Sequence, residues 1–99
     1  MLNIHPALLP SFPGANGIRD AFEAGVKVTG VTVHFASENF DDGPILAQEA
    51  VAIAEDDTIE SLEAKIHAVE HRLYPVALQY LAQGRVEIVG RKVKIAPGF

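Results

Sequence analysis

A long apolar stripe in the second half of the chain limits the possible folds more than any other feature. Ile59, Leu62, Ile66, Val69, Leu73 and Val76 recur at three- and four-residue spacing, the period that gathers side chains on one face of an α-helix. Residues 55–58 carry helix-start chemistry ahead of this run and Gly84 provides a stop. Pro75 removes one backbone donor inside it, so the helix is expected to bend or to restart near Tyr74. An apolar face of this length has to be buried against a second layer.

The rest of the sequence offers that layer as strands. In residues 28–36, Val31, Val33 and Phe35 point one way while Thr32 and His34 point the other, which predicts a strand with one apolar and one polar face. A polar, turn-rich stretch follows, containing Glu38, Asp41 and Asp42, and residues 45–53 form a second extended run. An antiparallel pair joined by an acidic loop is the simplest arrangement. Residues 1–4 read as the end of a strand that enters a Pro-rich segment, residues 5–14. This abrupt opening leads to the expectation that earlier chain has been lost. Ile18, Ala21 and Phe22 predict a short helix over 18–24 with Gly25 as its stop, and residues 86–89 and 92–95 predict a hairpin around Gly90-Arg91. The expected architecture is an α/β fold in one domain, residues 1–99: a partial sheet of mixed strand directions, one long bent helix on it and a terminal hairpin.

Composition serves mainly to exclude. The net charge is −5 and the basic residues are scattered apart from Arg91, Lys92 and Lys94, which argues against nucleic acid as a partner. Without cysteine there is no disulfide framework and no thiolate nucleophile, and the four histidines lack metal-ligand spacing, so no metal is expected. No apolar run approaches the roughly 20 residues that cross a bilayer. No membrane partner is expected, and the predicted location is the cytoplasm.

Asn3 and His5 stand two apart on an extended segment, so both project to one side. A carboxamide beside an imidazolium offers donors to a developing oxyanion, the need of acyl transfer; the same pair also suits a capped turn. Asp41, in the acidic loop, is placed to return to His5, hold its ring and favour its protonated form, although Asp41-Asp42-Gly43-Pro44 is equally a turn sequence. Thr32 and His34 share the polar face of the predicted strand and read as supporting residues. His67 and Glu70 project from nearby positions on the long helix, as do Glu70 and His71, and an exposed helix face explains them equally well. The Arg91, Lys92, Lys94 cluster suits a solvated hairpin and carries no assigned role.

The string Asn3-Ile4-His5-Pro6-Ala7-Leu8-Leu9-Pro10, followed by Phe12-Pro13-Gly14, resembles the Asn-x-His-Pro-Ser-Leu-Leu-Pro signature of the folate-dependent formyltransferases. Thr29-Gly30-Val31-Thr32-Val33-His34-Phe35, then Asp41-x-Gly43-Pro44-Ile45, Gln48-Glu49-Ala50-Val51 and Glu70-His71-x-x-Tyr74-Pro75 resemble its further blocks in order and spacing. Pro6, Leu8 and Pro13-Gly14-Ala15-Asn16 bring the chain nearest to the phosphoribosylglycinamide formyltransferase branch, with Ala7 and Asp42 as departures from the usual pattern.

That resemblance implies transfer of a formyl group from 10-formyltetrahydrofolate, as cosubstrate, to the amine of glycinamide ribonucleotide in purine biosynthesis. Asn3, His5 and Asp41 match the catalytic positions. Asn3 with Ser37, Glu38, Asn39, Phe40 and Asp41 would meet the folate, and Pro6 with His67, Ala68, Val69 and Glu70 would meet the ribonucleotide. Since family members run to roughly twice this length, the chain is expected to be the C-terminal catalytic part, impaired by itself. It would then self-associate or require a complementing N-terminal half. Formyltetrahydrofolate deformylase activity and non-catalytic folate binding are the alternatives.

Overall fold

The computed structural model describes residues 2–12, 15–35 and 43–96. In chain order these form β1 (Leu2–His5), α1 (Gly17–Ala24), β2 (Val28–Phe35), β3 (Ile45–Ala52), α2 (Ile59–Ala82), β4 (Val86–Val89) and β5 (Lys92–Ile95). Each element expected from the sequence is present, with ends shifted by a residue or two. The acidic loop, residues 36–42, lies outside the described residues. No described helix is long and apolar enough to cross a membrane.

The described strands form a three-stranded sheet, β1-β2-β3, and a separate β4-β5 hairpin. Every pairing is antiparallel, which corrects the expectation of mixed directions within this chain while leaving the α/β architecture intact. The reason lies in the route of the Pro-rich segment. Its described part, residues 5–12, stays at the end of the sheet where β1 finishes, with Leu8 against Gly30, and α1 delivers the chain to Val28 at that same end. Strand β2 therefore has to run back along β1.

α2 covers one face of the sheet. Leu62 and Ile66, fully buried, pack on Val31 and Val51, and each such side chain contributes about 1.5–3 kcal/mol relative to exposure. Further along, Leu73 and the fully buried Ala77 meet Leu2, Val33 and Leu46. The buried stripe thus passes from Leu73 to Ala77, four residues on. Val76, expected on that stripe, is 38% exposed, because a 3.6-residue period rotates the face forward over several turns. The helix also runs through Pro75 without a restart. The ring removes one hydrogen bond, and packing of Leu73, Tyr74 and Ala77 on either side holds the backbone in register.

Both ends of α2 are closed by their own sequence. At the start, Ser61 N–H donates to Thr58 Oγ1 and Thr58 N–H to Ser61 Oγ, a reciprocal capping box. At the finish, Gly84 at φ 66° turns the chain. Its N–H donates to the Leu81 carbonyl and Arg85 N–H to the Tyr80 carbonyl, as in a Schellman ending. Asp57 ties the helix start to the sheet: its carboxylate meets Lys65 Nζ at 2.5 Å and accepts from Ser61 Oγ and Ala54 N–H, each at 2.7 Å. Lys65 in turn donates to the Ala52 carbonyl at the end of β3. Glu49 of β3 and Arg72 of α2 form a second strap, an exposed bidentate pair.

Two stability predictions follow from this packing. The Lys65 hydrogen bond, then those of Ser61 and the Ala54 N–H, lower the Asp57 carboxyl from 3.8 to about 2. The stability it contributes is complete above the unfolded value and is lost as pH falls from about 4 toward 2. Asp57→Asn is therefore expected to lower Tm at pH 7 and to flatten the acid decline in that window. An equally steep decline in the variant would show that Asp57 is not its source. Separately, Thr29 is 2% exposed and its Oγ1 has no hydrogen-bond partner among the described residues. Thr29→Val is expected to raise stability by about 1 kcal/mol, read in a thermal melt as a Tm increase of roughly 4–8 °C.

Candidate active site

On β1 the side chains alternate, so Leu2 and Ile4 join the apolar layer under α2 while Asn3 and His5 emerge on the opposite face. Antiparallel register pairs Asn3 with His34 and His5 with Thr32. Thr32 in turn pairs with Gln48, so Gln48, Thr32 and His5 form a row across three strands, flanked by Asn3 and His34. This is the face predicted to be polar, but it is not open to water. Thr32 and His34 are fully buried and His5 is 6% exposed, and the segment after His5 lies over Thr32 and His5 themselves. Asn3 remains exposed at the rim.

Side chains of the sheet hold that covering segment by its backbone. The Thr32 hydroxyl donates to the Ala7 carbonyl at 2.7 Å and accepts from Leu9 N–H at 3.1 Å. The Gln48 amide donates to the Leu9 carbonyl at 2.8 Å and to Thr32 Oγ1 at 3.0 Å. Gly30 completes the seat, since a Cβ there would collide with the Glu49 carbonyl and the Leu8 side chain.

Farther along, Phe12 has φ 51° and turns its carbonyl to His5 Nε2, 2.9 Å away. A carbonyl can only accept, so Nε2 is the donor in this contact. The first residue of α1 backs this contact: a Cβ at Gly17 would come within 3.2 Å of His5 Nε2 and 3.3 Å of the Phe12 carbonyl. His34 is pinned by its own neighbour, Nδ1 donating to the Phe35 carbonyl at 3.1 Å.

The structure thus brings Asn3, His5, Thr32 and His34 onto one face. Ser37, Glu38, Asn39, Phe40 and Asp41 lie outside the described residues. The two ends of their loop are joined where Phe35 N–H donates to the Pro44 carbonyl at 2.9 Å, beside the Asn3–His34 pair. The residues expected to meet the ribonucleotide are divided. Pro6 lines a small recess with Asn16, Arg19, Ile59 and Glu63 between the starts of α1 and α2. Glu70 lines a second recess with Ile4, His71, Tyr74 and Pro75, on the α2 side of β1, and its carboxylate pairs with His67 Nδ1 at 2.7 Å. Ala68 is exposed, whereas Val69 packs into the core beside Leu62 and Ile66. Among the described residues no cluster of three or more His, Cys, Asp or Glu side chains could hold a metal ion.

Residue-level reading of the sequence did not single out Gln48, Gly17, Gly30 or the Phe12 carbonyl. Gln48 was concealed by a bulge between Val33 and His34 that shifts the β2–β3 register. Counting back from the loop would pair Thr32 with Ala47 and put Gln48 on the wrong face.

A family model described as formyl transferase matches residues 1–78. The chain is 52% identical over 81 residues to a phosphoribosylglycinamide formyltransferase of Bacillus subtilis, covering 82% of this chain and 42% of that protein. Its backbone superimposes with a TM-score of 0.94 on a glycinamide ribonucleotide transformylase of Symbiobacterium toebii, at 53% identity, over 97% of this chain and 45% of the other. A formyltetrahydrofolate deformylase of Pseudomonas syringae gives a TM-score of 0.92 at 33% identity, over 97% of this chain and 32% of that one. Backbone shape therefore scarcely separates the two kinds of enzyme, while sequence favours the first. The chain spans less than half the length of these relatives. Its signature residues gather on one sheet face, and the family match runs through both β1 and α2: the chain belongs to the formyl transferase family.

Proposed function

We propose that this chain carries the catalytic half of a formyl transfer from 10-formyltetrahydrofolate to the amine of glycinamide ribonucleotide. The observation that carries the reading is the buried His5 imidazole, held by the Phe12 carbonyl on the same strand face as the exposed Asn3 carboxamide. The amine attacks the formyl carbon, forming the new C–N bond and a tetrahedral oxyanion. Asn3 and protonated His5 donate hydrogen bonds to that oxygen, whose charge exists only beyond the ground state. Collapse breaks the bond to N10 of the folate, and the proton released by the amine passes to N10 through His5 or water. Asp41, on the loop whose ends lie beside the Asn3–His34 pair, steadies the imidazolium.

Ser37, Glu38, Asn39 and Phe40 belong to that loop and are assigned with Asn3 to the folate. The recess beneath Glu70 and His71 opens on the opposite face of β1, the edge strand of the described sheet. Pro6 follows directly after His5. The ribonucleotide is assigned to the α2 side of β1, beside Glu70, and the folate to the Asn3 side. The reaction needs no metal in this scheme. A soluble enzyme of purine synthesis in the cytoplasm is the setting we assign.

The test is a formyl-transfer assay on the purified chain, alone and mixed with the N-terminal half of the B. subtilis relative. Turnover that requires glycinamide ribonucleotide is expected in the mixture and little or none from the chain alone. His5→Ala is expected to slow it at least about 100-fold, Asn3→Ala by about 100- to 1,000-fold, and Asp41→Asn less than either. Formyl loss that ignores the ribonucleotide would favour a deformylase, and a His5→Ala variant of undiminished rate would remove the proposed mechanism.

A further inference from the structure

We propose that Gln48 is a positioning residue for His5, acting through the Pro-rich segment that runs between them. Both hydrogens of its Nε2 are engaged, one by the Leu9 carbonyl and one by the Thr32 hydroxyl, so the amide's donor capacity is fully used. The Thr32 hydroxyl is likewise saturated. It gives its single hydrogen to the Ala7 carbonyl and accepts from both Leu9 N–H and Gln48. Two side chains of the sheet thus satisfy three backbone groups of residues 7–9. Among the described residues of the segment itself, only Ala7 N–H to the His5 carbonyl and Ser11 N–H to the Leu8 carbonyl add backbone hydrogen bonds.

The segment so held begins at the residue after His5 and ends at Phe12, whose carbonyl holds the imidazole. Gln48 and His5 are therefore the two ends of one closed circuit: Gln48 fixes Leu9, Leu9 fixes the course of the chain to Phe12, and Phe12 fixes the ring. An exposed glutamine on a strand normally tolerates substitution. Here its loss would leave the Leu9 carbonyl and one Thr32 lone pair without a donor and free the segment to slide on the Gly30 seat. A glutamate would be worse, since an ionised carboxylate would face the Leu9 carbonyl and the Thr32 oxygen with nothing to donate. The catalytic consequence rests on the formyl-transfer reading; the positional one does not.

The test compares the unaltered chain with Gln48→Met and Gln48→Glu, both of similar length. Hydrogen exchange at the Leu9 amide is expected to quicken about tenfold, while the β2–β3 ladder and α2 keep their protection. The His5 ring signals in an NMR spectrum are expected to move in both variants. In the complemented assay kcat should fall about tenfold with KM changed by no more than about threefold, the pattern of a misplaced catalytic group. Unchanged exchange at Leu9 overturns the proposal, as does a loosened Leu9 with His5 signals in place. General loss of β2–β3 protection overturns it too, by making Gln48 a residue of the fold. Absence of turnover when the unaltered chain is mixed with the complementing half counts against the formyl-transfer reading alone, and the two NMR measurements then decide the proposal.

Discussion

Strand β2 has to be buried on both faces, and its two faces require opposite chemistry. Six consecutive residues, Thr29 to His34, are buried. Val31 and Val33 meet the apolar stripe of α2, where dispersion and loss of water contact are enough. Thr32 and His34 cannot be covered by another apolar layer without stranding their polar atoms. The Pro-rich segment solves this for Thr32 because it is irregular backbone, with carbonyls and N–H groups that need partners. Thr32 and the segment's unladdered peptide groups satisfy each other, while His34 bonds the Phe35 carbonyl of its own strand. Since that segment leaves directly from His5, the burial of β2 and the placement of the imidazole are one event.

The same arrangement explains how the candidate site is held firmly on so short a strand. β1 has only four residues and one neighbour among the described strands, which on its own is a weak platform. Its polar face is braced by the segment folded back over it, and its apolar face by α2, with Tyr74 hydroxyl reaching the Leu2 carbonyl at 3.4 Å. Phe12 in the left-handed region costs about 1–2 kcal/mol, and the surrounding contacts sustain it because its carbonyl completes the hold on His5. The geometry of the candidate site comes from a strained turn fastened to a paired strand.

Much of this was legible in the residues. The apolar stripe of α2, the alternation of β2, the Gly25 and Gly84 stops and the turn at Gly90-Arg91 are local patterns whose period or backbone chemistry admits few readings. The side-by-side projection of Asn3 and His5 followed from strand geometry, and the formyltransferase likeness from the signature around them. What was misread depended on longer range. Val76 was given to the core in place of Ala77 because spacing at three and four residues does not say which neighbour the rotating face will meet. Of the two outcomes expected of Pro75, a bend or a restart, the continuous helix Ile59–Ala82 excludes the restart. Mixed strand directions were expected where the route of one loop enforces antiparallel pairing.

The sequence by itself determined which segments are helix and strand, where they stop, and which side chains share a face, because those follow from backbone periods and from residues such as Gly, Pro and Thr acting on their immediate neighbours. Only the tertiary structure decided what those faces meet. The polar face of β2 became a hydrogen-bonding bed rather than a wetted surface, Gln48 came opposite Thr32 through a one-residue bulge, and the Phe12 carbonyl took its hydrogen bond from His5 Nε2. Each is a contact between residues at least seven apart, set by the closing of a loop on a sheet, and no local pattern encodes the distance at which a chain returns to itself.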